Sequence, residues 1–138
     1  MGSESKLFDE IKISEDQWHL FIESGFCYLN MGRFREAGEV FQGLISIDPT
    51  KDIGHIGLGN VYFAQNRLDD AEKEQEEAIK INPNSALARA HHGEVLLFRR
   101  EKEKALEELN EAIKLDPEGF SGAFARSLLE GVELGVFD

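Results

Sequence analysis

Residues 59–83 read GNVYFAQNRLDDAEKEQEEAIKINP, and three residue types in this stretch recur along the chain with a period of 34 residues. The recurring residues are Gly25, Gly59 and Gly93; Ala37, Ala71 and Ala105; and Pro49, Pro83 and Pro117. The sequence contains no other proline. A fixed period in the range of about 20–50 residues is typical of repeat architectures, in which each unit stacks on the next. We therefore expect a repetitive architecture.

Each period holds two segments with the apolar spacing of an amphipathic helix. A glycine inside a helix costs about 1 kcal/mol relative to alanine, so its recurrence predicts helix contacts too close for a side chain. A proline cannot continue the helical hydrogen bonding and ends the second helix of each pair. The turn within the pair falls at Gly32 and Asn66, which tolerate a left-handed backbone, whereas Arg100 fits that position poorly.

These patterns predict an all-α superhelix of three helix pairs followed by a C-terminal capping helix. The predicted helices span residues 15–31, 34–47, 52–65, 68–81, 85–99, 102–115 and 119–134. Ser14 and Gln17 form a capping box for the first helix, and Ser85 caps the fifth. The last helix closes the apolar face that an array of pairs leaves bare at its end. Residues 1–13 are expected to form an arm or a short helix.

The composition indicates a folded protein that binds neither nucleic acid nor anionic membranes. Of the 138 residues, 41% are hydrophobic and 30% are charged, and the formal net charge is −12. That charge opposes nucleic acid and anionic lipid as partners. No apolar run is long enough to cross a bilayer, and the single Cys27 cannot form an internal disulfide. We expect a cytoplasmic protein in which Cys27 is packed as a small apolar residue.

No catalytic or metal-binding constellation is recognisable. The adjacent His91 and His92 lie about 100° apart on a helix, so they cannot both face one metal, and a structural zinc site needs four ligands. The acidic runs at 69–77 and 101–108 are interleaved with lysines. Carboxylates in acid–base catalysis need burial or a partner to shift their pKa, so we interpret these runs as a solvated outer face. We expect no enzyme activity, no metal and no cofactor.

The recurring residues resemble the tetratricopeptide repeat. The residues that carry the resemblance are Gly25, Tyr28, Ala37, Phe41 and Pro49; then Leu58, Gly59, Tyr62, Ala71, Ala78 and Pro83; and then Gly93, Ala105, Ala112 and Pro117. The resemblance implies a single domain over 14–138, divided into three repeats and a capping helix at residues 18–51, 52–85, 86–119 and 120–134. Gln75, Arg89 and His92 depart from the family pattern, and there we expect loose packing or exposure to solvent or to a partner.

The segment GRFREAGEVFQGL at 32–44, followed by the tripeptide Gly-Leu-Gly at 57–59, resembles the chaperones that guard translocator proteins in type III secretion. That resemblance implies a cytoplasmic, acidic three-repeat protein whose concave groove holds a short extended segment of a client. It also implies that N-terminal residues support a homodimer. The alternatives are a needle-subunit chaperone of the same export systems and a generic repeat adaptor within a larger complex.

The resemblance also identifies candidate binding residues, because the first helix of each pair lines the groove in tetratricopeptide arrays. They are Ile22, Phe26, Leu29, Ile53, Ile56, Asn60, Phe63, Leu87, Ala90, His91, Glu94, Leu97 and Phe98, with His19, Glu23, Asn30, Gly57 and Ala64 beside them. Relatives that clamp an acidic peptide need Lys, Arg and Asn at such positions, and most of these residues are apolar. We expect a protein or peptide client with spaced apolar anchors, bound by burial rather than by charge.

Overall fold

The computed structural model describes residues 12–138, and seven α-helices lie in this range. They are α1 (Glu15–Asn30), α2 (Phe34–Ile47), α3 (Ile53–Ala64), α4 (Leu68–Ile81), α5 (Ala86–Phe98), α6 (Lys102–Leu115) and α7 (Phe120–Glu133). Every predicted helix end lies within one residue of the observed end, and the all-α fold class is confirmed. None of these helices combines the length and apolar character that crossing a membrane requires. The prediction for residues 1–11 lies outside the described range.

The helix ends follow the capping signals of the sequence. Ser14 Oγ accepts a hydrogen bond from the Gln17 N–H at 3.1 Å, and Gln17 Oε1 accepts one from the Ser14 N–H at 2.9 Å. At the start of α5, Ser85 Oγ accepts a hydrogen bond from the Ala88 N–H at 3.1 Å. The second helix of each pair ends two residues before its proline. Both predicted caps are therefore present.

One residue of each turn within a pair has a left-handed backbone. The φ angle is +76° at Gly32, +60° at Asn66 and +67° at Arg100. This conformation costs glycine nothing and asparagine little, whereas it costs another L-residue about 1–2 kcal/mol. The third turn is therefore strained, and Arg100 lies at the position where the sequence predicts a poor fit.

The side chain that lies sixteen residues after each recurring glycine packs against that glycine. A Cβ atom at the glycine would lie too close to that side chain in all three pairs, which are Gly25 with Phe41 (2.7 Å), Gly59 with Gln75 (2.5 Å) and Gly93 with Leu109 (2.6 Å). The three side chains that pack against the glycines are fully buried. The close contacts predicted from the glycines are confirmed, although the same repeat position holds a phenyl ring, an amide and a leucine.

The first helices of the pairs form an inner layer with the capping helix. Helices α1, α3, α5 and α7 contact one another in succession, and α2, α4 and α6 pack against this layer. Buried apolar residues form three clusters, which contain Phe41, Ile56 and Leu109. The side chains of α7 that pack against the last cluster are Phe124, Leu128, Leu129 and Val132. The predicted capping helix is therefore confirmed, because it covers the apolar end of the third pair.

Candidate functional site

The inner layer carries an open groove of about 660 Å³. Its lining comes from α1, α3, α5 and the start of α7, and consists of Phe26, Leu29, Asn30, Asn60, Phe63, Ala64, Leu87, His91, Glu94 and Phe120. Phe26, Asn60 and Glu94 occupy the same register position in successive repeats, since they lie 34 residues apart. Along this stripe the groove changes from an aromatic ring to an amide and then to a carboxylate.

Seven of the thirteen predicted groove residues line this groove, and they are Phe26, Leu29, Asn60, Phe63, Leu87, His91 and Glu94. The period of 34 residues brings them together, because it repeats the same helix face in each pair. Their role in binding stays a prediction. Ile22 and Ile53 are half-buried and pack against core clusters next to the groove.

Three other predicted groove residues lie in the core. Ile56, Ala90 and Leu97 are each at most 2% exposed, so a ligand in the groove cannot contact them. Ile56 packs with apolar residues of neighbouring helices, and Ala90 and Leu97 pack in the cluster that contains Leu109. The sequence did not separate these residues from the groove, because an inner helix is apolar both where it faces the groove and where it faces the outer helices.

Aromatic side chains enlarge the apolar surface at the C-terminal end of the groove. Phe98 is 51% exposed, and its ring meets Phe63 edge to face with centroids 5.0 Å apart. Phe120 is 71% exposed and stacks on Phe124 at 6.1 Å. The sequence interpretation missed Phe120, because it gave α7 only a capping role. The available signal was the position of Phe120 at the start of the helix that follows the last pair.

A line of hydrogen-bonding side chains leads from the core to the groove. Gln75 Nε2 donates hydrogen bonds to the Ile56 carbonyl at 3.2 Å and to Asn60 Oδ1 at 3.3 Å. Asn60 Nδ2 lies 3.4 Å from His91 Nε2. The expectation that Gln75 is loosely packed or exposed is therefore wrong: its side chain is fully buried and fills the space that Gly59 leaves.

Known protein families and structures resemble this architecture. Two family models, each described as a tetratricopeptide repeat, match residues 28–90 and 87–118. The chain belongs to the tetratricopeptide repeat family. Tetratricopeptide repeats form a protein-binding scaffold, which agrees with a groove on the inner layer. Among curated protein sequences, none matches the chain.

Solved tetratricopeptide repeat structures cover almost the whole chain. The type III secretion translocator chaperone SycD of Yersinia enterocolitica is 25% identical, with a TM-score of 0.75, over 91% of this chain and 98% of that chain. SycD in complex with a peptide of the translocator YopD is 23% identical, with a TM-score of 0.72, over the same shares. The first tetratricopeptide domain of Spaghetti (RPAP3), bound to the HSP90 peptide SRMEEVD, is 19% identical, with a TM-score of 0.74. The match covers 93% of this chain and 99% of that chain.

In the third tetratricopeptide repeat, the departures from the family pattern form ion pairs. Arg89 Nη1 donates hydrogen bonds to both carboxylate oxygens of Glu108, at 3.0 and 3.3 Å, and His92 Nδ1 lies 3.5 Å from Glu108 Oε2. Burial raises the pKa of Glu108, but the nearby His92 and the hydrogen-bonded Arg89 outweigh it and hold that pKa below its usual value. Arg89 is thus half-buried and paired, and His92 is half-buried beside Glu108, which corrects the expectation of loose packing or exposure.

A second set of ion pairs joins the second and third repeats. Arg99 Nε lies 2.9 Å from Glu72 Oε2. Burial, with Glu101 and Glu76 nearby, raises the pKa of Glu72. Glu72, Glu76 and His92 bring three possible metal ligands within 4.8 Å, but Arg99 already pairs with Glu72, so we assign this cluster to the ion pairs. Parts of the acidic runs are therefore half-buried and paired, which corrects their interpretation as a wholly solvated face.

The side of α1 away from the groove, together with Met31 just after the helix, also presents apolar residues. Leu20 and Met31 are 61% and 60% exposed. Cys27 is exposed between them, with its Sγ 3.9 Å from Met31 Sδ, so the expectation that it is packed is wrong. The physical reason is its place in the array: α1 is the first described helix, and no earlier helix of residues 12–138 covers this side.

Proposed function

We propose that this protein holds a short segment of a client protein in its concave groove, as a chaperone of the secretion type. The observation that carries the proposal is the groove of about 660 Å³, in which Phe26, Phe63 and Phe120 present aromatic surface. Apolar side chains gathered in an open concavity are typical of a binding site. The role is binding without catalysis, in the cytoplasm, where the lone Cys27 stays reduced.

The size of the apolar lining is sufficient for useful affinity. Full burial of one apolar anchor contributes about 1.5–3 kcal/mol. Two or three anchors then give binding in about the micromolar range once the costs of ordering the segment are subtracted. Such affinity suits a chaperone, because the client has to be released later.

The structural relatives support a chaperone over a clamp for acidic peptides. SycD is seen with a peptide of a translocator, and the ligand of the RPAP3 domain ends in Glu-Glu-Val-Asp. The described residues that line the present groove include Glu94 but no Lys or Arg. An acidic peptide would find no cation there, whereas an apolar segment finds Phe26 and Phe63.

A second candidate function is that of an adaptor within a larger complex. The observation that favours it is the exposed apolar side of α1, with Leu20 and Met31, which gives the protein a second surface for contacts. Gene neighbourhood distinguishes the two functions, because a secretion chaperone is expected beside export or translocator genes.

The test of the groove is selection of binders from a display library of random twelve-residue peptides. We expect enriched peptides with spaced apolar residues, and we expect the double variant Phe26→Ala with Phe63→Ala to lose binding measured by fluorescence anisotropy. Phe26 also contacts Phe41 in the core, so a second double variant, Phe63→Ala with Phe120→Ala, tests the groove with Phe26 left in place and removes the 71% exposed ring of Phe120. The control is Phe21→Ala, which removes an exposed ring outside the groove. Peptides that bind both groove variants as they bind the parent would show that the groove is not the site.

A further inference from the structure

Glu94 differs in its ion-pair partners from two other half-buried carboxylates, Glu72 and Glu108. The side chains of Glu72, Glu94 and Glu108 are 19%, 18% and 18% exposed. Glu72 pairs with Arg99 and Glu108 with Arg89. Among residues 12–138, the ion-pair contacts of Glu94 reach only His91, whose Nδ1 lies 3.5 Å from Glu94 Oε1. Glu94 thus has no Lys or Arg partner within the part of the chain that the structure describes.

A half-buried carboxylate gains from a hydrogen-bond donor. Removing an ionised carboxylate from water is costly unless hydrogen bonds or an opposite charge compensate for the lost hydration. The contact from His91 does not supply this, since His91 Nδ1 is buried and makes no hydrogen bond within the described residues. Glu94 also lines the groove, so its free carboxylate faces the space that a client would occupy.

The chemistry of the register stripe changes along its length, and this gives the complementary ligand a direction. Phe26 lies at the start of the register stripe and Glu94 at its end, with Asn60 between them. Neighbouring helices pack about 8–10 Å apart, so the two ends of the stripe are about 20 Å apart across the successive contacts of α1, α3 and α5. An extended chain rises about 3.3 Å per residue and spans that distance in about six residues.

We propose that the groove accepts a client segment in which an apolar side chain and a Lys or Arg lie about six residues apart. The apolar side chain packs on Phe26, and the ammonium or guanidinium group donates hydrogen bonds to the carboxylate of Glu94. This inference rests on the proposed function and deepens it, because it defines the chemistry of the client. The net charge of −12 attracts the same cationic segment over longer distances.

The test compares selections from the random peptide library on the parent and on Glu94→Gln. On the parent, we expect enrichment of Lys or Arg at a fixed separation from an apolar residue. A synthetic peptide of that consensus should bind about tenfold more tightly than its Lys-to-Glu analogue, and the ratio should approach one in Glu94→Gln. Glu94→Lys should reverse the preference and enrich Asp or Glu.

The matched control is Glu107→Gln, which makes the same change of net charge at an exposed residue outside the groove. The inference is overturned if the parent enriches no basic residue, or if Glu94→Gln and Glu107→Gln keep the same basic preference. It is also overturned if peptides bind only after removal of residues 1–11, or if Glu94→Gln disperses a dimer, since the occupant is then this chain. Normal binding by both groove double variants, Phe26→Ala with Phe63→Ala and Phe63→Ala with Phe120→Ala, contradicts the proposed function itself, so the two failures are distinguishable.

Discussion

The first and third repeats place different chemistry at the same pair of positions. Residues 21 and 40 of the first repeat correspond to residues 89 and 108 of the third. In the first repeat the pair is Phe21 and Val40, which line an apolar hollow of about 350 Å³ between α1 and α2. In the third repeat it is Arg89 and Glu108, joined by two hydrogen bonds. The same two positions on equivalent helices therefore accommodate both apolar and ionic side chains.

The second repeat is intermediate between the other two. Its corresponding pair is His55 and Glu74, with His55 Nδ1 2.7 Å from Glu74 Oε2. At the position whose side chain packs against the recurring glycine, the second repeat has Gln75 where the first repeat has Phe41. The change from apolar to polar thus runs along the array at the pair that begins with Phe21 and Val40, whereas the side chain at the glycine contact is apolar again in the third repeat, at Leu109. The comparison shows that the repeat pattern requires a side chain that fills the space beside each recurring glycine. It does not determine whether the neighbouring helix contacts are apolar or ionic.

The largest expected effect is on the apolar contacts of the first repeat. Phe41→Ala removes a fully buried ring beside Gly25 and Gly57, and we expect the free energy of unfolding to fall by about 3–5 kcal/mol. Urea denaturation followed by far-UV circular dichroism measures the loss. Trp18 fluorescence reports on the same cluster. A loss below about 1 kcal/mol would show that the first repeat does not depend on this packing.

The ionic contacts of the third repeat should contribute less to the free energy of unfolding than the packing of Phe41. Glu108→Gln leaves Arg89 without its charged partner, and we expect a loss of about 1–3 kcal/mol by urea denaturation. The double variant Arg89→Phe with Glu108→Val transfers the pair of the first repeat, and we expect stability within about 1 kcal/mol of the parent. A double variant that is less stable than Glu108→Gln would show that the two repeats are not interchangeable at this contact.

The ionic and apolar contacts should also differ in their response to acid. The pKa of Glu108 is lowered in the folded state, so its contribution is present above the ordinary pKa of Glu and is lost as the pH falls through the lower folded value. The stability difference between the parent and Glu108→Gln should therefore shrink from pH 7 towards acid. The pKa of Glu72 is raised, so the advantage of the parent over Glu72→Gln should be greatest in acid and fall as the pH rises.

Urea denaturation of the three proteins at several pH values down to about pH 3.5 measures both trends, since Glu ionises near pH 4.3. Phe41→Ala serves as the reference, because its loss of stability arises from packing and the substitution removes no titratable group. Parallel pH profiles for Glu72→Gln and Glu108→Gln would contradict the assigned pKa directions.

The smallest expected effect concerns the turns. The first repeat has Gly32 and the third has Arg100 in a left-handed backbone. Arg100→Gly relieves that strain, and we expect a gain of about 0.5–1 kcal/mol in the free energy of unfolding. Asn66→Gly is the matched control and should gain less, because asparagine tolerates this conformation. Equal changes in both variants would show that the side chain of Arg100 adds nothing to the strain.

The candidate site was predictable in part. The register of the repeat placed Phe26, Asn60 and Glu94 on one stripe, because residues that lie one period apart occupy the same face of equivalent helices. The division between groove and core was not predictable at Ile56 and Leu97, since an inner helix packs apolar residues on two sides. Phe120 was missed because it belongs to the helix after the repeats.

The sequence by itself determined the seven helices, their ends and their order. The signals are local: a capping box at Ser14, a proline after the second helix of each pair and a turn residue such as Gly32 act within a few residues of the backbone. The tertiary structure alone decided which side chains are buried, how Arg89 is paired and that Glu94 has no Lys or Arg partner within residues 12–138. These properties depend on neighbours that lie far apart along the chain, and only the stacking of the helices brings such neighbours together.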